Sequence, residues 1–436
     1  NQFSGEKNLE AQSTRQIYKS DFCEYLLCLA LDVGEGMLKN GGDVNRVEDT
    51  IERICRAYGA EHVEVFTIIS VINAAIRMPD GTYSSQLRRV KSTANNLGRL
   101  ERLNALSREI CQTKPSLEEF DEKLHEMKKT PEYEKGVIIA ASAISSGAFT
   151  LFFGGNWNDA LVSMLIGVVL SLIEFAPSMK MNLMARIVVS AFIATVLSGA
   201  SVAWLGIADS HDAIMTGVIM LLVPGMAFGT AMRDLFYGDL IAGALKTIQA
   251  VLSALMIALG YILAMTIFGS IPPSDYVLEG GWLIVKEFIT ALISAVAFAI
   301  LFRVNKKHLF WAGVGSIVTY GIYYLTVTFT HNVFLAALVS ALFTALYSEV
   351  SARVHRAPTL VFLITGVIPT VPGRYLYNTM RYLLEQNWPL ALDAFLNTMK
   401  IAIGIAAGVV GVAIAWGTIS SEIKSRRRHK SQQEKQ

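Results

Sequence analysis

Apolar and polar positions divide the chain into two regimes. From Asp21 to Leu38 the apolar residues Tyr25, Leu26, Leu29 and Leu31 recur at helical spacing, the mark of a helix with one buried face. The phrase NGGDVNRVEDTIERICRAYG follows at 40–59. Its glycine pair ends the first helix, Asp43 or Asn45 caps a second, and Gly59 stands where that helix should stop. Residues 61–77 are rich in Val, Ile and Phe, which suits strands, and Pro79–Thr82 reads PDGT, a hairpin turn. Two polar helices are expected near 92–112 and 116–128. Together these elements predict a small α+β domain over 21–134, after a polar leader (1–20) whose composition predicts disorder.

Beyond residue 135 the pattern is apolar. Stretches long enough to cross a bilayer, which takes about 20 residues each, lie near 136–153, 158–176, 184–206, 212–231, 238–268, 282–303, 309–328, 333–350, 358–384 and 391–417. The predicted fold is a polytopic α-helical membrane protein of about ten spans. One set of connecting loops carries Lys180, Arg186, Arg233, Arg303, Lys306, Lys307, Arg353 and Arg356. The other carries Asp209, Asp275 and Glu279. Basic loops stay in the cytoplasm. An even count then puts the N-terminal domain and the basic tail (419–436) both on the cytoplasmic side of the cell membrane.

Composition agrees: 53% of residues are hydrophobic and 17% charged, against about 25% charged in soluble domains. Between Ser421 and Gln436 six basic residues stand against Glu422 and Glu434. After a membrane helix this reads as an anchor facing lipid headgroups, and no nucleic-acid partner is expected. The four cysteines (Cys23, Cys28, Cys55, Cys111) all fall in the N-terminal domain. Their spacing fits no zinc pattern, so they read as reduced thiols and no metal is expected. No cleavable signal peptide is read in the first nineteen residues, which lack an apolar core. GxxxxGK, HExxH and GxSxG are missing, so ATP-driven transport and hydrolase chemistry find no support and no cofactor is expected.

The most informative feature is a repeated phrase. Residues 223–233 read VPGMAFGTAMR and residues 371–381 read VPGRYLYNTMR. The offset is constant, since 372 − 224 and 381 − 233 both give 148. TGVIMLLVPG (216–225) and TGVIPTVPG (365–373) extend the match with a one-residue gap. Each phrase falls in the fourth apolar stretch of its half. Five spans per half, over 135–268 and 282–418, force the second half to enter from the opposite side: an inverted 5+5 repeat, the architecture of many secondary transporters.

Proline removes a helical hydrogen bond and glycine loosens the backbone. Backbone groups freed in lipid must be buried in protein or line a wet cavity. The half-helix after each break offers N–H groups and a positive dipole end to a carboxylate. The candidate substrate-binding residues are therefore Pro224, Gly225, Thr230, Pro372, Gly373, Arg374, Asn378 and Thr379, with Arg374 adding a full charge. Arg233, Asp234, Asp239, Arg381 and Glu174 are candidates for coupling or gating, since carboxylates within spans are candidate proton relays. Glu287 and Glu349 are further polar residues of the spans. Plainer readings stand beside these. The breaks can be packing kinks, Asp234 can pair with Arg233, and Glu174 and Glu349 lie near span ends where water reaches. His211 and His331 read as solvent-facing at outer loops. GIAAG (Gly404–Gly408) suits close helix packing or a homodimer.

GGDVNRVEDTIERICRAYG, VPGMAFGTAMRDLFYGDLIAGALKTIQA and VPGRYLYNTMRYL resemble the threonine/serine exporter family, over nearly the whole chain from about residue 20. The resemblance implies export of L-threonine and L-serine driven by the proton gradient. Some relatives are split into two subunits, here roughly 20–268 and 282–417, and are linked to dicarboxylates such as succinate. The family motif falls on Arg46, Glu48 and Asp49 in the N-terminal domain and on Arg233 and Asp234 at the first break. The first three serve equally as the charged first turn of a capped helix. A membrane-embedded enzyme or sensor would need a catalytic constellation within 20–135, which offers only His62 and His125 without a nucleophile–base pair. A passive channel would show no dependence on a gradient.

Overall fold

The computed structural model describes residues 22–91, 95–129, 133–176, 181–223, 230–231, 234–235, 239–268 and 282–433, with side chains as far as Trp416. The chain forms two compact units. One ends at Glu132 and takes in Asp239–Ala242. The other comprises Tyr133–Gly238 and Gly243–Gln436.

In the first unit α1 (Phe22–Lys39) and α2 (Val44–Ala57) precede β1 (His62–Ile68), β2 (Val71–Arg77) and β3 (Tyr83–Arg89), and α3 (Leu97–Thr113) and α4 (Leu117–Lys129) follow. The strands form an antiparallel meander, β1-β2-β3. Alternation explains the central strand: Ile72, Ala74 and Ile76 are buried while Asn73 is exposed. Leu26, Leu27, Leu31 and Met37 of α1 are fully buried with Ile51 and Ile54 of α2. The apolar stretch 61–77 is two strands folded at Ile69–Ser70, and the PDGT turn leads into a third. Gly59 (φ +97°) and Gly81 (φ +86°) occupy the left-handed conformations that stop α2 and close that turn. Asp43 holds the N-cap position of α2, yet its side chain makes no capping bond, and Asn45 lies inside the helix. The next helix starts at Leu97 rather than near 92, where Asn96 accepts a hydrogen bond from the Arg99 amide.

The second unit is helical: α5 (Lys135–Phe152), α6 (Trp157–Phe175), α7 (Leu183–Ala203), α8 (His211–Leu222), α9 (Leu240–Phe268), α10 (Trp282–Leu301), α11 (Leu309–Thr330), α12 (Val333–His355), α13 (Thr359–Val367), α14 (Gly373–Leu384) and α15 (Trp388–Gln433). Among the described residues eight helices are long and apolar enough to cross a membrane. The pair Thr359–Thr370 and Gly373–Leu384, bent by 47°, makes a ninth. The expected span 212–231 is represented by α8, apolar but only 12 residues long; the rest of that stretch lies largely outside the described residues. The stretch expected as a separate basic tail continues α15 as helix through Gln433.

Small and hydroxylated residues let these helices approach, as expected where lipid leaves no hydrophobic drive between them. Ser142 Oγ donates to the Gly167 carbonyl (2.9 Å) and Ser146 Oγ to the Ser163 carbonyl (2.8 Å), joining α5 to α6. Gly404 and Gly408 of α15 lie against the backbone of α12, 2.8 Å and 2.7 Å from a built Cβ to the Phe334 and Leu338 carbonyls. The GIAAG phrase thus serves packing within the chain, and the homodimer loses that support.

Candidate functional site

The second unit holds a buried polar cluster at the start of α8. The turn before α8 is fixed first. Asn156 and Asp159 form a reciprocal cap at the head of α6, and Asp159 Oδ1 accepts from the Asp209 and Ser210 amides (2.8 and 3.0 Å). Ser210 then caps α8 by accepting from the Ala213 amide. This sets His211 and Asp212 in the first turn, where the helix dipole favours a carboxylate.

Asp212 draws together residues far apart in sequence. Its Oδ1 accepts from the Tyr377 hydroxyl (2.7 Å) and its Oδ2 from Arg381 Nη1 (2.6 Å). Arg381 Nε donates to Glu385 Oε1 (2.8 Å). Tyr377, Arg381 and Glu385 follow one another at i, i+4 on α14, so one face carries all three. The Tyr261 hydroxyl of α9 lies 3.3 Å from that of Tyr377. The His211 ring lies 6.2 Å from the Tyr261 ring at 24°, and its Nδ1 is 2.9 Å from Ser198 Oγ of α7. His211 is 4% exposed, and its Nε2 has no hydrogen-bond partner among the described residues. The Asp212 and Arg381 side chains are 28% and 15% exposed.

A cavity of about 60 Å³ lies toward the other end of α8. Met220, Val223 and Thr230 border it around the first repeated phrase, Ile368 and Val371 border it at the second, and Phe298 closes a side. Gly373 packs onto the Met220 sulfur, where a Cβ would overlap. The lining is apolar apart from Thr230.

The sequence candidates separate on this geometry. Pro224, Gly225 and Arg233 lie outside the described residues. Thr230 is buried at the cavity. Pro372 is the N-cap residue of α14 and Gly373 its first residue, but the Gly373 amide donates to the Val371 carbonyl (2.8 Å) and is not free for a ligand. Arg374 is exposed and does not line the cavity. Asn378 is half-buried, and Thr379 Oγ1 bonds the Tyr375 carbonyl of its own helix (2.8 Å).

Asp234 is buried and pairs with Lys246, a partner the sequence reading did not consider. Asp239 precedes α9 rather than lying within it, and accepts from Asn45 Nδ2 (2.6 Å) in the first unit. Glu174 is exposed at the end of α6. Glu349 pairs with Arg353 one turn on, and Glu287 accepts from the Tyr320 hydroxyl (2.9 Å). His331 is exposed, as expected. His211 is the correction: it opens α8 and is packed by Ser198 and Tyr261, because the chain folds back between two helices there instead of facing water.

In the first unit Glu48 accepts from the Thr67 amide (2.7 Å), which ties α2 to β1. Burial holds its carboxyl above the usual range. Asp49 pairs with Arg53, and Arg46 is half-buried. The four cysteines are thiols, and burial pushes Cys55 up to about 12, which makes it a poor nucleophile.

A family model described as "Putative threonine/serine exporter" matches residues 28–268, and one described as "Threonine/Serine exporter, ThrE" matches residues 287–415. The chain is similar to the threonine/serine exporter of Corynebacterium glutamicum, with 22% identity over 400 residues, covering 88% of this chain and 80% of that one. It is also similar to the "Probable succinate transporter subunit YjjP" of Klebsiella aerogenes, with 23% identity over 236 residues, 53% of this chain and 90% of that one. Pheromone-regulated membrane protein 10 of Saccharomyces cerevisiae shares 25% over 195 residues, 43% of this chain and 50% of that one. No solved structure matches.

Proposed function

The chain belongs to the threonine/serine exporter family, and from that premise we propose that it is a secondary exporter of the small amino acids L-threonine and L-serine, driven by the proton gradient across the cell membrane. The observation that carries this reading is the meeting of both repeated phrases at one cavity: Met220, Val223 and Thr230 from one, Ile368 and Val371 from the other.

The order of helices supports an inverted repeat. Three long helices (α5, α6, α7), a short apolar one (α8) and a long one (α9) are followed by three more (α10, α11, α12), a broken one (α13 and α14) and a long one (α15). Five such elements per half among the described residues would turn the second half over, with both termini cytoplasmic. Of the coupling candidates, Asp234 is buried against Lys246 and Arg381 is partly buried against Asp212. Exposed Glu174 and the Asn45-bound Asp239 are set aside. Arg374 is set aside as the carboxylate anchor.

A second reading, dicarboxylate export, is favoured by the similarity to a protein named as a succinate transporter subunit. Counterflow in proteoliposomes separates the two. Vesicles loaded with unlabelled L-threonine or L-serine are expected to accumulate the labelled partner, faster under an imposed proton gradient, while succinate-loaded vesicles do not. Succinate exchange with inert threonine would replace the first reading by the second. Flux indifferent to the gradient would remove the proton coupling.

A further inference from the structure

We propose that Asp212 and Arg381 form the head-group subsite for a zwitterionic amino acid, and that His211 reads its side-chain hydroxyl. This rests on the exporter reading and names the groups that recognise the substrate.

The argument begins with charge. An α-amino acid carries one carboxylate and one ammonium on the same carbon. A guanidinium and a carboxylate held side by side present the complementary pair. Inserted between them, the substrate gives its carboxylate to Arg381 and its ammonium to Asp212. Each protein charge exchanges one partner for another, so neither is left buried and unpaired, the outcome that makes breaking such a pair costly. Glu385 on Arg381 Nε keeps the guanidinium oriented while the Nη edge changes partner. The Tyr377 hydroxyl, on Asp212 Oδ1, keeps that carboxylate aimed through the exchange. Partial exposure of both side chains leaves the pair reachable by a solute.

A dicarboxylate fits poorly. Among the described residues, two acids, Asp212 and Glu385, pair with Arg381. Two more negative charges would meet like charge there. The other ionisable neighbours, Tyr261, Tyr377 and His211, supply hydrogen bonds rather than fixed positive charge.

His211 is the independent sign that a ligand belongs here. A buried ring nitrogen without a partner is costly, and among the described residues Nε2 of His211 has none. Its other nitrogen is held by Ser198 and its ring by Tyr261, so the ring orientation is set. The residue adjoins Asp212 in the same helical turn. A hydroxyl on the substrate's β-carbon supplies the missing bond, and serine and threonine are the amino acids that share that group.

The test is competition in counterflow with labelled L-threonine. N-acetyl-L-threonine lacks the ammonium, L-threonine amide lacks the carboxylate, and L-2-aminobutyrate lacks the hydroxyl. In wild type each is expected to compete about tenfold or more worse than unlabelled threonine, as sites built around a polar group reject analogues without it. Asp212→Asn is expected to erase the penalty for N-acetyl-threonine alone, Arg381→Gln that for the amide alone, and His211→Phe that for aminobutyrate alone. A structural brace would lower flux and leave all three ratios unmoved, and that result overturns the subsite. If a neutral variant fails to insert, Asp212→Glu and Arg381→Lys are read by the same ratios. Arg381→Lys is expected to weaken recognition of the carboxylate, since ammonium cannot reproduce the guanidinium fork; unchanged threonine affinity there counts against the proposal. Wild-type protein that exchanges no amino acid overturns the exporter reading and this subsite together, whereas wild-type exchange with unmoved ratios sinks the subsite alone.

Discussion

Replacing Gly217 by valine is expected to cost the protein its packed helical bundle and with it all transport. A Cβ at this position would stand 2.6 Å from the backbone nitrogen of Thr150 and 2.8 Å from the Ser146 carbonyl. Both atoms belong to the main chain of α5, so no rotamer change relieves the clash, and α5 and α8 must part. Overpacking of a well-filled core costs about 1–3 kcal/mol, and a backbone obstacle puts this case at or beyond the upper end. The separation would also shift His211 and Asp212, which sit on the same short helix. The matched glycine of the second phrase is a built-in comparison. A Cβ on Gly366 would meet Thr344 Cγ2 at 2.5 Å, the tip of a side chain that can turn aside. Gly366→Ala is therefore expected to be milder than Gly217→Ala, and Gly136→Ala, with nothing within 4 Å, to be neutral. The apparent melting temperature of the purified variants in detergent reads this order. A Gly217→Val protein that melts with wild type would mean that α5 and α8 do not approach as described.

The apolar stretches and both broken phrases were legible in the sequence because each is local. Twenty apolar residues, or a proline beside a glycine, announce themselves without reference to any other part of the chain. What was not legible depends on partners far away. Asp212 meets Tyr377 and Arg381 across 165 and 169 residues, and nothing near Asp212 marks it apart from any acid opening a helix. Arg374 and Arg381 show the same limit more sharply. Seven residues apart, they lie two turns apart on nearly one face, so periodicity gives them equal standing. Only the neighbours met about 10 Å further along the axis leave one exposed and the other paired. His211 was read as solvent-facing because it adjoins a short polar loop, yet the loop folds inward against α6. In the first unit the turn at Ile69–Ser70 carries only a serine, the weakest of the usual turn residues, so the sequence shows strand-forming residues over 61–77 without showing where they fold back, whereas PDGT marks the next turn. The phrase RVEDT was legible as a charged first turn, but that Glu48 would reach across to the Thr67 amide was not.

A double-mutant cycle on Asp212 and Arg381 is expected to return strong coupling and an asymmetry between its single variants. Arg381→Gln leaves the partly buried Asp212 carboxylate with Tyr377 as its remaining side-chain partner among the described residues. Asp212→Asn leaves Arg381 still bound to Glu385. The arginine variant should therefore be the more damaging. Removing one member of a buried pair costs about 3–5 kcal/mol, and the partial exposure of both side chains moves the expected values toward the lower end. The double variant, with two neutral amides facing each other, leaves no orphaned charge and should lose less than the two singles combined, with an interaction energy of about 1–3 kcal/mol. Tyr377→Phe completes the account: deleting a hydrogen bond to a charged acceptor costs about 1.5–3 kcal/mol, and the loss should shrink once Asp212 is already asparagine. Denaturation midpoints of the purified proteins measure all of these. Strict additivity would mean that Asp212 and Arg381 do not hold each other in the folded protein. A milder Arg381→Gln than Asp212→Asn would mean that Glu385 does not retain the guanidinium, and the oriented Nη edge required of a carboxylate reader would lose its physical basis.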